Sequence, residues 1–282
     1  MARRKGRLLL KYIIINVIVW SIAIVWTLPF IGVAMVSVRP FSEVVIHGWW
    51  SIIGNYTLKN FMDAWSNPMY SIAVGYRNSF IVTIPATIAP LFIAALAAYV
   101  FSRFSFPLKT MLFITLLVIM AMPQQMSVIP LFFMLNRLGL YDKLQGLILI
   151  HSAWGLAWIT FFLKNFFDAL PKEIEEAARV DGASDTHIFF KIVLPMSMPA
   201  IASVAAIQFT WVWSDFFYAL MFLVNPDNYV VTLQVASMKG QYHIDWGLLS
   251  AGSIMAMAVP LILYALLQKY YVRGMVGWTL KG

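Results

Sequence analysis

The sequence predicts an all-α polytopic membrane protein with six transmembrane helices, and three observations carry that expectation. The chain is 61% hydrophobic and 11% charged, with a mean hydropathy of +0.79. A soluble domain of 282 residues could not hide so much apolar surface. A bilayer accepts it, provided each segment closes its own backbone hydrogen bonds as a helix. Six segments reach the roughly 20 apolar residues that a crossing needs. Lys and Arg are also distributed unevenly between the connecting segments, as they are when one side faces the cytoplasm.

The six segments run from about Tyr12 to Val36, Asn78 to Phe101, Leu108 to Leu135, Leu144 to Phe166, Pro199 to Leu223 and Leu248 to Tyr270. The first follows Arg3, Arg4, Lys5 and Arg7 but is too long for a signal h-region, and no small-x-small site follows closely. It reads as an uncleaved span. Fourteen of the 20 Lys and Arg lie on the side that holds both termini, which places both termini in the cytoplasm. The expected organisation is a basic cytoplasmic segment over 1–11, a single membrane domain over 12–270 and a cytoplasmic tail over 271–282. Within the domain, 171–195 is cytoplasmic, and 39–76 and 225–246 are outer loops. The aromatics of 39–76 suit an interfacial helix at the headgroups.

Several function classes drop out. The net charge of +8 follows from basic loops facing anionic lipid, so membrane lipid rather than nucleic acid is the expected partner. Without cysteine there are no disulfides, thiol nucleophiles or Cys-based metal sites. The four histidines are far apart, and no Gly-rich phosphate loop is visible. No cofactor, metal site or catalytic residue is expected on this chain, and any ATP must be bound by a partner.

The cytoplasmic 171–195 segment is charged and punctuated by glycine. Pro171 and Glu173 suit a helix start, and Gly182 suits a left-handed helix end. Ser184 can cap a second short helix. Ile174, Ala177 and Ala178 form a small apolar face, with Lys172/Glu176 and Glu175/Arg179 as i,i+4 pairs on the solvated side. The plain reading is an amphipathic surface helix between two spans.

The residues Glu176-Ala-Ala-Arg-Val-Asp-Gly182 and Ile192-Val-Leu-Pro195 fit E-A-A-x₃-G-x₉-I-x-L-P without a gap. This resembles the EAA loop of ABC importer permeases, and the chain is similar over about 76–282 to the smaller six-span permease of maltose-type carbohydrate transporters. Pro130-Leu131-Phe132, Leu194-Pro-Met-Ser-Met-Pro199 and the terminal Lys281-Gly282 support the likeness. Trp213-Ser-Asp-Phe216 departs from a family Trp-Asn-Glu-Phe pattern, which weakens transfer of substrate identity. The resemblance implies a type I ABC importer permease fold with EAA coupling helices. It implies a heterotetramer with a second permease subunit and two ATPase subunits that carry ATP and Mg. It also implies an extracytoplasmic solute-binding protein that docks on 225–246. Glu175, Glu176, Ala177, Ala178, Asp181, Gly182 and Ala183 would couple to the ATPases, with Lys281 and Gly282 facing them from the tail.

Polar residues inside the bilayer are costly and are functional candidates by default. Gln208, Trp211, Asp215, Tyr218 and Phe222 fall on one stripe of the fifth span, and His151, Trp154 and Trp158 on one stripe of the fourth. Gln124 and Gln125 follow Pro123 in the third. Aromatic planes with amide or carboxylate edges suit a sugar. The same residues serve equally as interfacial anchors or as hydrogen bonds between helices. A secondary transporter would show repeats with coupling-ion sites, and a membrane enzyme would show a His/Asp/Glu constellation. Neither pattern is visible.

Overall fold

The computed structural model describes the backbone of residues 2–240 and 244–276, with side chains placed over 11–240 and 244–268. Lys281 and Gly282 lie outside the described residues. The helices are α1 Ala2–Ser37, α2 Phe41–His47, α3 Lys59–Ser66, α4 Ile72–Arg103, α5 Lys109–Ala121, α6 Val128–Arg137 and α7 Leu144–Asp168. They continue with α8 Glu173–Val180, α9 Asp185–Ile188, α10 Leu194–Met196, α11 Met198–Trp213, α12 Phe217–Phe222, α13 Val231–Ser237 and α14 Trp246–Val276. Among the described residues there is no strand. The chain divides into two compact units, Met1–Ser71 with Ser237–Met255, and Ile72–Ala236 with Ala256–Gly282.

Among the described residues, four helical stretches are long and apolar enough to cross a bilayer, Lys11–Ser37, Ile72–Arg103, Leu144–Asp168 and Trp246–Gln268, and up to six if each of two bent helix pairs is one span. The expected third and fifth spans are not straight helices. Lys109–Ala121 and Gln124–Arg137 meet at a 100° bend. Pro123 has no N–H to give and biases Met122 away from the helical region, and Met122 is extended at ψ 133°. In the expected fifth span α11 stops at Trp213, and Ser214–Phe216 separate it from α12. Here the Asp215 carboxylate accepts the backbone N–H groups of Tyr218 and Ala219 at 3.4 and 3.1 Å, which starts a new helix instead of prolonging the old one. Before α11, the chain turns by 74° between Asp185–Met196 and Met198–Trp213.

In the first unit the segment after α1 is organised by one cation. Arg39 is fully buried and donates to the carbonyls of Gly48, Glu43 and Ile53 at 2.8, 3.0 and 3.3 Å. The Asn60 amide adds bonds to the carbonyls of Ser37 and Arg39. Trp49 meets Trp246 edge to face.

In the second unit α4 packs against α7 and α11. One apolar cluster joins Val82, Ala86, Leu147, Ile150, Tyr218 and Phe222. Another joins Ala94, Ala98, Ile159, Leu163, Phe167, Ile188 and Phe189, so the small residues of α4 let the helices approach closely. Asp142, at φ +54°, ties the turn before α7 to the chain after α12. Its carboxylate accepts the N–H groups of Val224 and Asn225 at 2.8 and 3.0 Å. Burial pushes the Asp142 carboxyl pKa up, but those two bonds and one from Asn228 outweigh it and hold the pKa below the ordinary carboxylate value.

Candidate functional site

Two places in the second unit collect the candidate residues. The first is a cavity of about 680 Å³ lined by Met120, Met122, Gln124, His151, Trp154, Gly155, Trp158, Phe161, Phe162, Gln208, Trp211, Val212, Ser214 and Asp215. The size falls in the range of small-molecule sites. The break after α11 turns the Asp215 carboxylate back toward α7, where its Oδ2 lies 3.5 Å from His151 Nε2. The His151 ring stands edge-on to Tyr218 at 5.8 Å. Tyr218 is fully buried, and its hydroxyl reaches Ser127 Oγ at 3.1 Å and the Gln124 carbonyl at 3.4 Å. Trp158 and Trp211 are tilted against each other at 5.0 Å, and Trp211 keeps 60% of its surface open. The walls thus combine indole faces with one carboxylate and one imidazole.

Gln208 has a different employment. Its Nε2 donates to the carbonyls of Ala86 and His151 at 3.0 and 3.2 Å, and its Oε1 accepts from Trp158 Nε1 at 2.8 Å. It ties α4, α7 and α11 together at 3% exposure. Gly155 makes the space: a Cβ built there would fall 2.5 Å from Gln208 Nε2. Gln125 is exposed and does not line the cavity, and Tyr218 stands behind its wall.

The second place is the charged segment 171–195. α8 ends at Val180, and two residues on, Gly182 has a φ of +86°, the left-handed conformation that glycine adopts freely. Ser184 Oγ caps α9 by accepting the His187 N–H. Ala178, Asp181, Gly182, Ala183, Ser184, His187 and Ile192 line an open groove of about 590 Å³. Glu176 and Ala177 are exposed beside it.

The expected pairing and inner face of α8 need correction. Glu175 does not pair with Arg179 on the solvated side; it is 2% exposed and faces Arg103 at the end of α4, at 2.7 and 2.8 Å. Arg179 instead bonds Asp185 at 3.0 Å, which raises the guanidinium pKa. Ile174 remains 43% exposed, so the inner face runs through Glu175 and Ala178. Periodicity placed a carboxylate on the solvent side because it could not see a guanidinium 72 residues earlier in the chain.

The comparisons with known proteins agree on one family. Residues 90–277 match the model of the binding-protein-dependent transport system inner membrane component. A protein of Pyrococcus horikoshii named as a probable ABC transporter permease is 54% identical over 96% of this chain and 98% of its own length. The trehalose/maltose transport system permease protein MalG of Thermococcus litoralis is 32% identical over 97% of this chain and 98% of its own. Among solved structures, a chain of a bacterial ABC transporter that imports the acidic polysaccharide alginate superposes with a TM-score of 0.79. The match covers 92% of this chain and 95% of that one at 19% identity, a likeness of fold.

Proposed function

This chain belongs to the family of inner-membrane components of binding-protein-dependent transport systems, and we propose that it is the permease subunit of an ATP-driven importer of a sugar or oligosaccharide. The solute class follows the carbohydrate named for the Thermococcus litoralis relative and suits the cavity. Indole planes at Trp154, Trp158 and Trp211 fit apolar ring faces, and Asp215, His151 and Gln124 offer hydrogen-bonding edges. Gln208 holds the wall that carries them.

In this reading the chain performs no chemistry. A second permease completes the path, two ATPase subunits bind ATP and Mg, and an extracytoplasmic solute-binding protein delivers the solute. Both termini face the cytoplasm, in keeping with the Lys and Arg distribution. The observation that carries the coupling role is the open groove around Gly182, at a helix–glycine–helix turn. Glu176, Ala177, Ala178, Asp181 and Ala183 surround it, and Glu175 acts from within. ATP-driven closure of the ATPases drags α8 and α9, and the cavity alternates between inward-open and outward-open forms.

A single cysteine at Ala178, introduced into this cysteine-free chain, tests the role. Co-expressed with the candidate ATPase subunits, it is expected to crosslink to one of them in an ATP-dependent manner. A stably inserted chain that crosslinks to no ATPase would overturn the proposal.

A further inference from the structure

A chain of polar contacts, buried at its Arg103–Glu175 end and exposed at its Asp168–Lys164 end, links the cytoplasmic segment to the helices that line the cavity. Arg103 and Glu175 keep 4% and 3% of their side chains exposed. Arg103 Nη1 donates to Ser102 Oγ at 2.8 Å, and Ser102 Oγ donates to Asp168 Oδ1 at 2.6 Å. Asp168 Oδ2 lies 2.6 Å from Lys164 Nζ, whose ammonium stands over the Phe113 ring. The chain of contacts therefore runs from α8 through the end of α4 to the end of α7. From Asp168 to His151 the same helix α7 rises about 25 Å, at about 1.5 Å per residue, to the cavity.

Burying such a pair is expensive, and hydrophobic residues of similar volume usually stabilise as well or better. Its value lies elsewhere. One charge-assisted hydrogen bond, from Arg103 Nε–H to Glu175 Oε1 at 2.8 Å, with Nη2 in ion-pair contact 2.7 Å from the same oxygen, fixes distance and angle in a way that apolar contacts do not. The pair is also incompletely satisfied. Both guanidinium contacts fall on Glu175 Oε1, while Arg103 Nη2, Glu175 Oε2 and the nearby Tyr99 hydroxyl of α4 are buried without a hydrogen-bond partner. A pair built only to lock the fold would have those groups filled.

We propose that the Glu175–Arg103 pair is a positioning strut, through which movement of α8 is passed to α4 and α7 and so to the cavity walls. This rests on the coupling role proposed above. Glu175 touches neither the solute nor the partner surface; it acts through Arg103.

The test uses the complex reconstituted with its partner permease and ATPase subunits. Ser214→Cys, on the cavity lining, reports opening through its labelling rate with a polar maleimide, with and without ATP and vanadate. The Ala178→Cys crosslink is measured separately. Glu175→Gln keeps a polar group of the same shape, and Arg103→Lys keeps the charge but loses the two-point contact. In both variants the ATP-dependent crosslink is expected to stay within twofold of the parent. The ATP-dependent change in labelling is expected to fall at least fivefold. A labelling change within twofold of the parent in both variants refutes the strut. Loss of the crosslink only in the variants refutes it too, because the pair then serves to fold α8. Absence of the crosslink in the parent as well refutes the coupling role itself.

Discussion

Replacing Gly155 with alanine places a methyl carbon where the Gln208 amide now lies, 2.5 Å from Nε2 and 3.0 Å from Cδ. The amide must leave, and with it go the bonds to the Ala86 and His151 carbonyls and to Trp158 Nε1. Hydrogen bonds between membrane helices are worth about 0.6 kcal/mol each, so the three together contribute about 2 kcal/mol. Alanine recovers about 1 kcal/mol over glycine inside a helix, which leaves Gly155→Ala about 1 kcal/mol less stable than the parent. Gln208→Ala alone costs about 2 kcal/mol by the same count. With the amide already gone, alanine at 155 meets no obstacle and should raise stability by about 1 kcal/mol. The sign of the Gly155→Ala effect thus reverses with residue 208, and the coupling energy is about 2 kcal/mol. Reversible unfolding of the detergent-solubilised chain in dodecyl sulfate, followed by circular dichroism, measures all four corners of the cycle. Additivity within about 0.5 kcal/mol would refute the argument that Gly155 exists to seat Gln208.

Three further outcomes are expected. Asp142→Ala should lower stability by about 2 kcal/mol at neutral pH, because bonds to a charged acceptor are lost. The Asp142 pKa is depressed on folding, so this contribution is present above the unfolded carboxylate pKa and is lost as pH falls through the lower folded one. Parent and variant melting temperatures should therefore converge in acid, and a gap that does not narrow contradicts the assignment. A Cβ at Gly182 meets no atom within 4 Å, so Gly182→Val should cost mainly the backbone strain of a positive φ, about 1–2 kcal/mol. It should leave the protein in the membrane but uncouple uptake from ATP hydrolysis, and ATP-driven uptake at the parent rate would count against the coupling turn. Arg39→Ala removes the donor to three loop carbonyls and should raise the rate of limited proteolysis within 48–58 at least tenfold, whereas an unchanged rate means the loop is held by other contacts.

How far sequence reasoning reached depended on whether the deciding interaction was local. Gly182 and Ser184 were readable because a left-handed helix end and an N-cap are settled by residues within one turn. The bend at Met122–Pro123 carried a signal, a proline inside an apolar run, but the run length concealed it. Asp215 was placed on a continuous helical stripe, although aspartate competes for backbone N–H groups and can end one helix by starting the next. Glu175 was assigned to the wrong side of α8 because its partner is remote in the chain.

The sequence by itself determined that the chain enters a bilayer, where its long helices lie and that one charged turn interrupts them. Hydrophobic free energy accumulates with apolar area, so composition and run length carry it without knowledge of neighbours. Only the tertiary structure decided which polar side chains meet: Asp215 with His151, Gln208 with α4 and α7, and Glu175 with Arg103. In a chain that is 61% hydrophobic, core-facing and lipid-facing sides look alike, and periodicity cannot tell them apart. The arrangement is settled by the need to satisfy each costly polar atom in an apolar surrounding, and that need is met by helices far apart in the sequence.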